Sequence, residues 1–325
     1  MKEISVHIVT WKRKKLLIAL LESLENQSVS DELYEISICD SGSNDGTKEA
    51  IEISKTKYKN INYFNINTNT LAAKRNYLFS KTELPIIISL DDDLVVDRNF
   101  IKAHYEAQKK VTRSVICGQV RFPKKWIENS NYYRFRDSNH IKKGLSKLNL
   151  KDLPSKNIIA MNMSFKKSEV NTIGYMDESF VSYGGEDVEF GYRLTKNEFK
   201  IVYLEDALAY HYENSQLEGY LHKLYISARY SSKLLLEKAP NVLVDSKSEY
   251  LRPINRNDKK IVKFKKMFFI VILNKYLNKL LISYLCSVDQ IAFLYSLRFY
   301  TYICAYSINK GINEQNNSDI KESWL

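Results

Sequence analysis

The chain has 325 residues, with 49 Lys or Arg against 38 Asp or Glu, and a formal net charge of +11. A hydrophobic fraction of 44% and a charged fraction of 27% exclude a disordered chain, and the length allows two domains. Ten glycines and five prolines are too few for an all-β protein built from many tight turns. The four cysteines form no CxxC pair, which argues against a zinc site or a disulfide framework and favours a reducing compartment.

Two features of the apolar segments predict where the protein resides. The apolar stretch before Trp11 is too short for the core of a signal peptide, so we expect a cytoplasmic protein. No uninterrupted apolar run reaches the ~20 residues that span a bilayer. The excess of positive charge still requires an anionic partner, either a nucleic acid, a membrane surface or a phosphorylated small molecule.

In chain order, the first third alternates between strands and helices. Strands are predicted at 4–10, 35–39, 60–65 and 84–90, and helices at 16–24, 47–57 and 71–80. This alternation predicts an α/β fold with a mainly parallel sheet and helices on both faces. Ligands of such sheets bind beyond the carboxyl ends of the strands, so the polar residues after the second and fourth strands are the place to seek chemistry.

The remainder of the chain is less regular and then becomes helical. Residues 121–157 are polar, rich in aromatic residues and without clear periodicity, which predicts a long loop that is functional or mobile. The further predicted elements are a strand at 158–165, a helix at 186–194, a strand at 200–204 followed by a turn before His211, and helices from about 220. We therefore expect a catalytic domain at 1–215 and a helical C-terminal region at 216–325.

The positive charge is concentrated between Arg256 and Lys279. Eight basic residues and one acidic residue in this segment contribute +7 of the +11, and apolar residues recur among them near the helical period. A basic amphipathic helix is typical of a surface that docks on anionic lipid headgroups, so residues 256–285 are the predicted membrane contact. The alternative is a helix packed on its own domain with a solvated lysine face, and the two interpretations are compatible.

Three acids, Asp91, Asp92 and Asp93, follow the apolar fourth strand. Carboxylates are hard oxygen ligands, and Mg²⁺ or Mn²⁺ held by one or two of them can bridge the phosphates of a substrate. Three adjacent carboxylates repel one another unless a cation or solvent relieves the repulsion. The alternative interpretation is a solvated loop after a strand.

Asp40 follows the second strand, where a dinucleotide-binding fold places the acid that binds ribose. The loop after the first strand, residues 10–15, contains no glycine, which argues against the pyrophosphate cradle of a nicotinamide or flavin enzyme. Asp40 is instead suited to accept a hydrogen bond from a base N–H such as that of uracil. The nearby sequence Asp45-Gly-Thr47 is equally consistent with a turn and a helix cap.

Residues 183–194 place two glycines before Glu186 and Asp187, near the start of a predicted helix. Glycines let the backbone approach a ligand closely. A carboxylate beside a bound sugar hydroxyl can accept its proton as a general base, whereas N-terminal capping of the helix is the equally weighted alternative. Taken alone, His211 is more typical of a structural or solvated histidine than of a metal ligand.

Five motifs in this order together resemble the family-two glycosyltransferases of GT-A fold. They are VTWKR at 9–13, DSGSNDGT at 40–47, AKRN at 73–76, LDDD at 90–93 and GGEDVEFGYR at 184–193. The GGED segment is especially similar to that of bacterial chondroitin-polymerase-like and galactosyltransferase-type members. The resemblance covers roughly residues 3–215 and implies a Rossmann-like GT-A domain, followed by a C-terminal helical region without a match.

The resemblance implies a role for each matched residue. The implied nucleotide-binding residues are Thr10, Arg13, Asp40, Arg75, Asn76, Asp91 and Asp92, with Asp40 holding the uracil of a UDP-sugar. Asp91 and Asp93 match the D-x-D pair, and the implied ligands of Mn²⁺ or Mg²⁺ are Asp93, Asp91 and His211, with Asp93 the direct one. Because three aspartates are consecutive, Asp92 remains an alternative partner. Asp187 matches the catalytic base and Glu186 a residue that contacts the acceptor or donor sugar, while Tyr183 stands where the family often has Trp.

These roles imply an inverting, metal-dependent transfer of a hexose or N-acetylhexosamine from a UDP-sugar to a hydroxyl group of a saccharide. The basic tail suggests a lipid-linked acceptor in surface-polysaccharide or lipopolysaccharide synthesis, with peripheral association at the inner face of the cell membrane. The alternatives are a nucleotidyltransferase on a similar sheet and a non-enzymatic nucleic-acid-binding protein. We expect no nucleic-acid partner, because the basic cluster is confined to one tail while the core motifs are acidic.

Overall fold

The computed structural model describes residues 2–57, 60–140, 153–213, 215–242 and 247–315. Its backbone contacts divide the chain into two units. Unit 1 consists of Met1–Pro123, Asn139–Ser179 and Glu186–Glu213, and unit 2 consists of Lys124–Ser138, Phe180–Gly185 and Asn214–Leu325. Unit 2 therefore includes two internal segments that a single division near residue 215 does not describe.

Unit 1 is built on an eight-stranded mixed sheet within the described residues. Its strands are β1 (Ile4–Val9), β2 (Tyr34–Asp40), β3 (Ile61–Asn65), β4 (Ile86–Asp91), β5 (Leu94–Val96), β6 (Ser114–Arg121), β7 (Asn162–Lys166) and β8 (Lys200–His211). Their order across the sheet is β3-β2-β1-β4-β7-β6-β8-β5. The pairs among β3, β2, β1 and β4 and the pair β6-β8 are parallel, whereas β7 and β5 run antiparallel to their neighbours.

The helices of the first two-thirds of the chain alternate with the strands as far as β4 and then lie singly or in pairs between the later strands. They are α1 (Lys14–Glu25), α2 (Thr47–Lys57), α3 (Leu71–Lys81), α4 (Phe100–Lys110), α5 (Lys124–Asn129), α6 (Asn131–His140), α7 (Lys167–Asn171) and α8 (Glu186–Lys196). Helix α1 buries its leucines at 17, 20, 21 and 24, the spacing of one helical face, against the apolar strands of the sheet. Helix α3 begins at Thr70, whose hydroxyl accepts a hydrogen bond from the Ala73 amide.

Three predicted elements are wrong in their extent. Residues 124–140 of the predicted loop form helices α5 and α6, while residues 141–152 lie outside the described residues. The strand predicted at 158–165 begins only at Asn162. Ile158 and Ala160 are buried in the core, but they precede the strand, so their apolar character reflects burial and not strand pairing. The strand predicted at 200–204 continues to His211, so that this histidine lies on β8 itself.

Unit 2 is helical, as predicted for the C-terminal region. It contains α5 and most of α6, together with α9 (Leu217–Ile226), α10 (Ser232–Lys238), α11 (Lys260–Ile272), α12 (Lys275–Ser287) and α13 (Leu297–Asn313). The π-helical segment Ser227–Ser231 joins α9 to α10. Its core is rich in aromatic residues, and the rings of Phe135 and Tyr300 stack with centroids 4.7 Å apart. In the described part of the chain no single helix is long and apolar enough to cross a membrane, although α11 and α12 together meet that criterion across a 70° bend.

Candidate functional site

The register of the parallel strands gathers the polar residues of three motifs at one edge of the sheet. Val9 at the end of β1 pairs with Cys39 on β2 and with Asp91 on β4. The residues that follow these positions, Thr10, Asp40 and Asp92, therefore leave the sheet side by side. This is the carboxyl edge at which ligands bind in α/β folds.

Asp92 and Asp93 share one arginine. Arg13 Nη1 lies 3.0 Å from Asp92 Oδ1 and 2.9 Å from Asp93 Oδ2, and the Thr10 hydroxyl donates a hydrogen bond of 2.7 Å to Asp92 Oδ2. Burial raises the pKa of Asp92 to about 6; the charge of Arg13 opposes this shift and the charge of Asp93 adds to it. The Arg13 guanidinium thus lies between the two carboxylates and pairs with both of them.

Asp93 meets His211 because β5 pairs with β8. Leu94, the first residue of β5, lies opposite His211 in an antiparallel register, which brings Asp93 Oδ2 to 3.3 Å from His211 Nε2. Glu213 Oε2 lies 4.0 Å from the same nitrogen. Burial raises the pKa of Asp93, but the interaction with His211 and the charge of Arg13 outweigh burial, so the pKa lies below its ordinary value.

The donor atoms of Asp93 and His211 fit a divalent cation in part. Among the described residues, the buried Asp93 Oδ1 and His211 Nδ1 have no hydrogen-bond partner. Nowhere in the described part of the chain do three or more His, Cys, Asp or Glu side chains form a cluster arranged to hold a metal ion. A carboxylate and an imidazole would therefore need further ligands from a bound substrate, which is how Mg²⁺ and Mn²⁺ are commonly held by phosphate-binding enzymes.

Asp91 belongs to a second cluster, separate from the Asp92–Asp93 pair. Arg75, with a side chain only 3% exposed, lies 2.8 Å from Asp91 Oδ1 and 3.4 Å from Glu186 Oε1. Asp91 and Asp93 share no ion-pair partner among the described residues. The two aspartates of the predicted D-x-D pair therefore interact with different neighbours.

Helix α8 presents Glu186 and Asp187 in its first turn. The preceding Gly184 and Gly185 have φ angles of 80° and 104°, a left-handed conformation that favours glycine. Glu186 is buried, and its pKa is raised to about 7 by burial and by the charge of Asp187, against the opposing charge of Arg75. Asp187 is partly exposed, accepts a 2.8 Å hydrogen bond from the Val188 amide, and has a pKa raised by burial.

Asp40 is fully buried and holds the loop that follows β2. The Ser41 amide and the Ser43 hydroxyl each donate to Oδ1 at 2.7 Å, and the Ser43 amide and the Tyr63 hydroxyl donate to Oδ2 at 3.1 and 2.9 Å. Both oxygens therefore already accept two hydrogen bonds. A uracil N–H would have to replace one of these donors.

The side-chain amide of Asn76 also has its hydrogen bonds occupied by neighbouring protein groups. Its Nδ2 donates to Met176 O and to Glu178 Oε1 at 2.8 Å, and its Oδ1 accepts from the Met176 amide at 2.9 Å. These bonds fix the segment that precedes the GGED motif. A direct contact of Asn76 with a nucleotide would have to break them.

Two residues at the site were not singled out from the sequence. Lys74 is buried and donates to Thr10 O and to Asn69 Oδ1, both at 3.0 Å, so it fixes the end of β1. Glu213 follows His211 just beyond the end of β8 and lies beside its imidazole. The signal for Lys74 was present, since a lysine at a core-facing position of α3 is unusual.

Solved structures define the class of fold. S. aureus TarS 1–349 superposes with a TM-score of 0.56 at 14% identity, over 99% of this chain and 93% of that chain. The mannosyltransferase PcManGT from Pyrobaculum calidifontis, in complex with GDP-Man and Mn²⁺, gives a TM-score of 0.62 at 14% identity, over 98% and 88%. The fold is therefore the GT-A fold of glycosyltransferases, which confirms the fold expected from the motifs.

Sequence comparison then supplies the family. The model of glycosyl transferase family 2 matches residues 5–173, and that of the N-terminal domain of galactosyltransferase matches residues 139–215. The first match covers more than half of the chain. The chain belongs to glycosyl transferase family 2, as its motifs predicted.

Curated relatives are distant and mostly longer. The chondroitin synthase of Pasteurella multocida (strain Pm70) is 24% identical over 65% of this chain and 25% of its own length. The uncharacterized glycosyltransferase YfnE of Bacillus subtilis (strain 168) is 25% identical over 65% of this chain and 64% of its own length. The chain spans about a quarter to a third of the length of the chondroitin synthases it matches.

Proposed function

We propose that the protein is an inverting, metal-dependent glycosyltransferase that moves a hexose or N-acetylhexosamine from a UDP-sugar to a hydroxyl group of a saccharide. The observation that carries the proposal is the division of the acidic edge into two clusters. Asp92 and Asp93, with Arg13 and His211, form one cluster, and Asp91, Arg75 and Glu186 with Asp187 form the other. Transfer needs one site for a diphosphate and another for an acceptor hydroxyl.

The first cluster is suited to the donor. Asp93 and His211 would hold Mn²⁺ or Mg²⁺, and the imidazole favours Mn²⁺ because Mg²⁺ prefers oxygen ligands throughout. A bound divalent cation neutralises the charge that develops on the diphosphate leaving group. Arg13 is half exposed and pairs with both carboxylates, so it can turn toward an incoming diphosphate when those carboxylates take up a cation.

The second cluster is suited to the acceptor. Asp187, partly exposed at the start of α8, would accept the proton of the attacking hydroxyl as a general base. Its raised pKa strengthens it as a base. Arg75 ties Glu186 to Asp91 and so fixes the first turn of α8 against β4. Attack from the face opposite the diphosphate would invert the anomeric centre in a single displacement.

The relatives support this choice of chemistry. S. aureus TarS has been solved with UDP and with UDP-GlcNAc, and chondroitin and hyaluronan synthases are among the curated relatives. Because the structural neighbour PcManGT was solved with GDP-Man, the nucleotide base of the donor has to be determined by experiment. We propose a saccharide acceptor that is lipid-linked, in synthesis of a surface polysaccharide or lipopolysaccharide.

The test combines donor binding with turnover. Calorimetric titration of the full-length protein with UDP-sugars and GDP-Man, with Mn²⁺ or with EDTA, should give metal-dependent binding of a UDP-sugar. Asp187→Asn should abolish transfer to a saccharide and leave UDP binding unchanged, whereas Asp93→Ala should remove metal-dependent binding. Asp206→Asn, an exposed acid on β8, is the matched control for both. Transfer by Asp187→Asn, or diphosphate release from a nucleoside triphosphate in place of UDP release, would refute the proposal.

A further inference from the structure

The helix pair α11–α12 exposes a series of large apolar side chains. Val271 is 79% exposed and Tyr276 is 81% exposed. The apolar surface of the helix pair comprises Ile261, Phe264, Met267, Phe268, Ile270, Val271, Tyr276, Leu277 and Leu280. Proteins rarely leave an apolar surface of this extent in water, and such surfaces mark contacts with a partner or a membrane.

Helix α11 is oriented with a lysine inward and phenylalanines outward. Lys266 is only 4% exposed and its ammonium group lies 2.7 Å from Asp258 Oδ2 and 3.1 Å from Pro253 O. Phe264, Phe268 and Val271 recur at the spacing of one helical face and are all exposed. A soluble helix normally buries its aromatic side chains and exposes its charges, whereas α11 does the reverse. The outer face of α11 therefore matches an apolar environment.

The charge around this surface identifies its occupant. From Lys259 to Val288 the sequence contains no acidic residue, and Lys259, Lys260, Lys265, Lys275 and Lys279 are exposed. Lysine stems can lie along an apolar surface while the ammonium groups reach phosphates at its rim. Apolar side chains ringed by cations complement the acyl boundary and headgroups of an anionic bilayer.

The length of the helices decides how they meet the bilayer. Each has 13 residues, about 20 Å at the rise of an α-helix, whereas the hydrocarbon core of a bilayer is about 30 Å thick. The 70° bend between them prevents the two from acting as one straight span. Lysines also interrupt both helices along their length.

We propose that α11 and α12 lie in the interface of an anionic bilayer, with the apolar surface in the acyl boundary and the lysines on lipid phosphates. The helix pair would thus hold the protein at a membrane without crossing it. This proposal does not depend on the identity of the donor or the acceptor.

The experiment is co-sedimentation of the full-length protein with vesicles. Binding is expected to vesicles of phosphatidylcholine mixed with phosphatidylglycerol, to weaken at high salt, and to be much weaker with phosphatidylcholine alone. Bound protein is expected to be released by a carbonate wash. Failure to bind the mixed vesicles would overturn the proposal, and retention through the carbonate wash would replace it with a membrane-spanning arrangement.

Substitutions with matched controls locate the surface. Phe264→Glu with Val271→Glu should abolish vesicle binding, whereas Ile53→Glu, at an apolar residue of α2 that is 66% exposed, should not change it. Lys260→Gln with Lys279→Gln should weaken partitioning about thirtyfold, since each lysine near an anionic surface contributes about fivefold. Lys102→Gln with Lys156→Gln is the control for charge.

Two outcomes distinguish the bilayer from other occupants. Unchanged binding by Phe264→Glu with Val271→Glu would refute the assigned surface. A dimer in solution that these substitutions dissociate, together with no vesicle binding by the unsubstituted protein, would assign the surface to a second copy of the chain. If the double variant fails to fold, the salt and lipid dependence of the unsubstituted protein decides between these outcomes.

Discussion

Replacing Glu186 by Gln should change how the stability of the protein depends on pH. Glu186 is buried, its pKa is about 7, and the causes are burial and the charge of the adjacent Asp187. The ordinary pKa of this side chain is 4.5. Gln has the same shape as the protonated acid and cannot titrate, while Arg75 keeps its 2.8 Å ion pair with Asp91 in the variant.

The sign and size follow from proton linkage. Between pH 4.5 and pH 7 the unfolded chain loses the proton of Glu186 while the folded protein retains it, so stability falls as the pH rises through this window. From pH 5 to pH 8 the loss amounts to about 2–3 kcal/mol, because one unit of pKa corresponds to about 1.4 kcal/mol. Glu186→Gln should remove this pH-dependent loss of stability. For a domain of this size, the loss corresponds to a decrease in Tm of about 5–10 °C.

The assay is thermal unfolding of the full-length protein and the variant at a series of pH values from 5 to 8. Asp92 also has a raised pKa and Asp93 a lowered one, so the difference between the two proteins at each pH isolates Glu186. Glu83→Gln, at an exposed carboxylate, should follow the unsubstituted protein throughout. Curves of Tm against pH that run parallel for Glu186→Gln and the unsubstituted protein would refute the burial argument.

Three further substitutions test the supports of the site. Arg75→Met should lower the free energy of unfolding by about 3–5 kcal/mol in chemical denaturation, because it leaves the buried Glu186 and the partly buried Asp91 without their cation; a loss below 1 kcal/mol would contradict this. Thr10→Val should cost about 1–3 kcal/mol in the same measurement, since Asp92 Oδ2 loses its 2.7 Å donor. Gly185→Ala should cost about 1–3 kcal/mol, because φ is 104° and the added Cβ would lie 2.9 Å from the Phe180 ring; calorimetry that shows an unchanged Tm would disprove this strain.

The parallel half of the fold and its acidic edge could be predicted from the sequence. Strand β4 is a nearly continuous apolar run, whereas β1 and β2 interleave apolar residues with Ser, His or Glu; almost all residues of the three strands are buried. Strands β2 and β4 end in an aspartate, and β1 is followed directly by Thr10. The order of the strands along the chain was enough to place the polar residues after β2 and β4, among them Asp40 and Asp92, at one edge, whereas Thr10 was assigned to the site only by the family resemblance. The family followed from the same motifs.

The partners of these acids could not be predicted, because they depend on packing between distant segments. Nothing in the sequence around Arg75 shows that it would be buried between Asp91 and Glu186, 111 residues from the latter. Asp40 and Asn76 matched motifs, but the hydrogen bonds of both are directed to the backbone and side chains of their own unit. Motif matching identifies residue types, whereas only the fold shows which bonds they have already formed.

The later strands were missed or cut short because their polar residues interrupt the pattern. The sequence predicts a turn after Leu204, yet Glu205 and Asp206 are exposed on a bulge in β8, where the register with β6 shifts between Gly118 and Val120. The strand resumes at Ala209 and continues to His211. Helix α6 was missed for a similar reason. It buries polar as well as aromatic residues, on more than one face, so Tyr132 and Phe135 do not stand out as one apolar face in the sequence.

The bulge in β8 also determines which changes of chain length the family can accept. Leu204 and Ala209 are separately fixed by pairing with Gly118 and Val120, so residues added or lost between them would alter the bulge and leave the following register intact. One residue inserted between Ala209 and His211 would instead turn the imidazole to the opposite face of the sheet, away from Asp93. Insertions and deletions among homologous chains should therefore fall within residues 205–208, and the interval from Ala209 to His211 should have constant length.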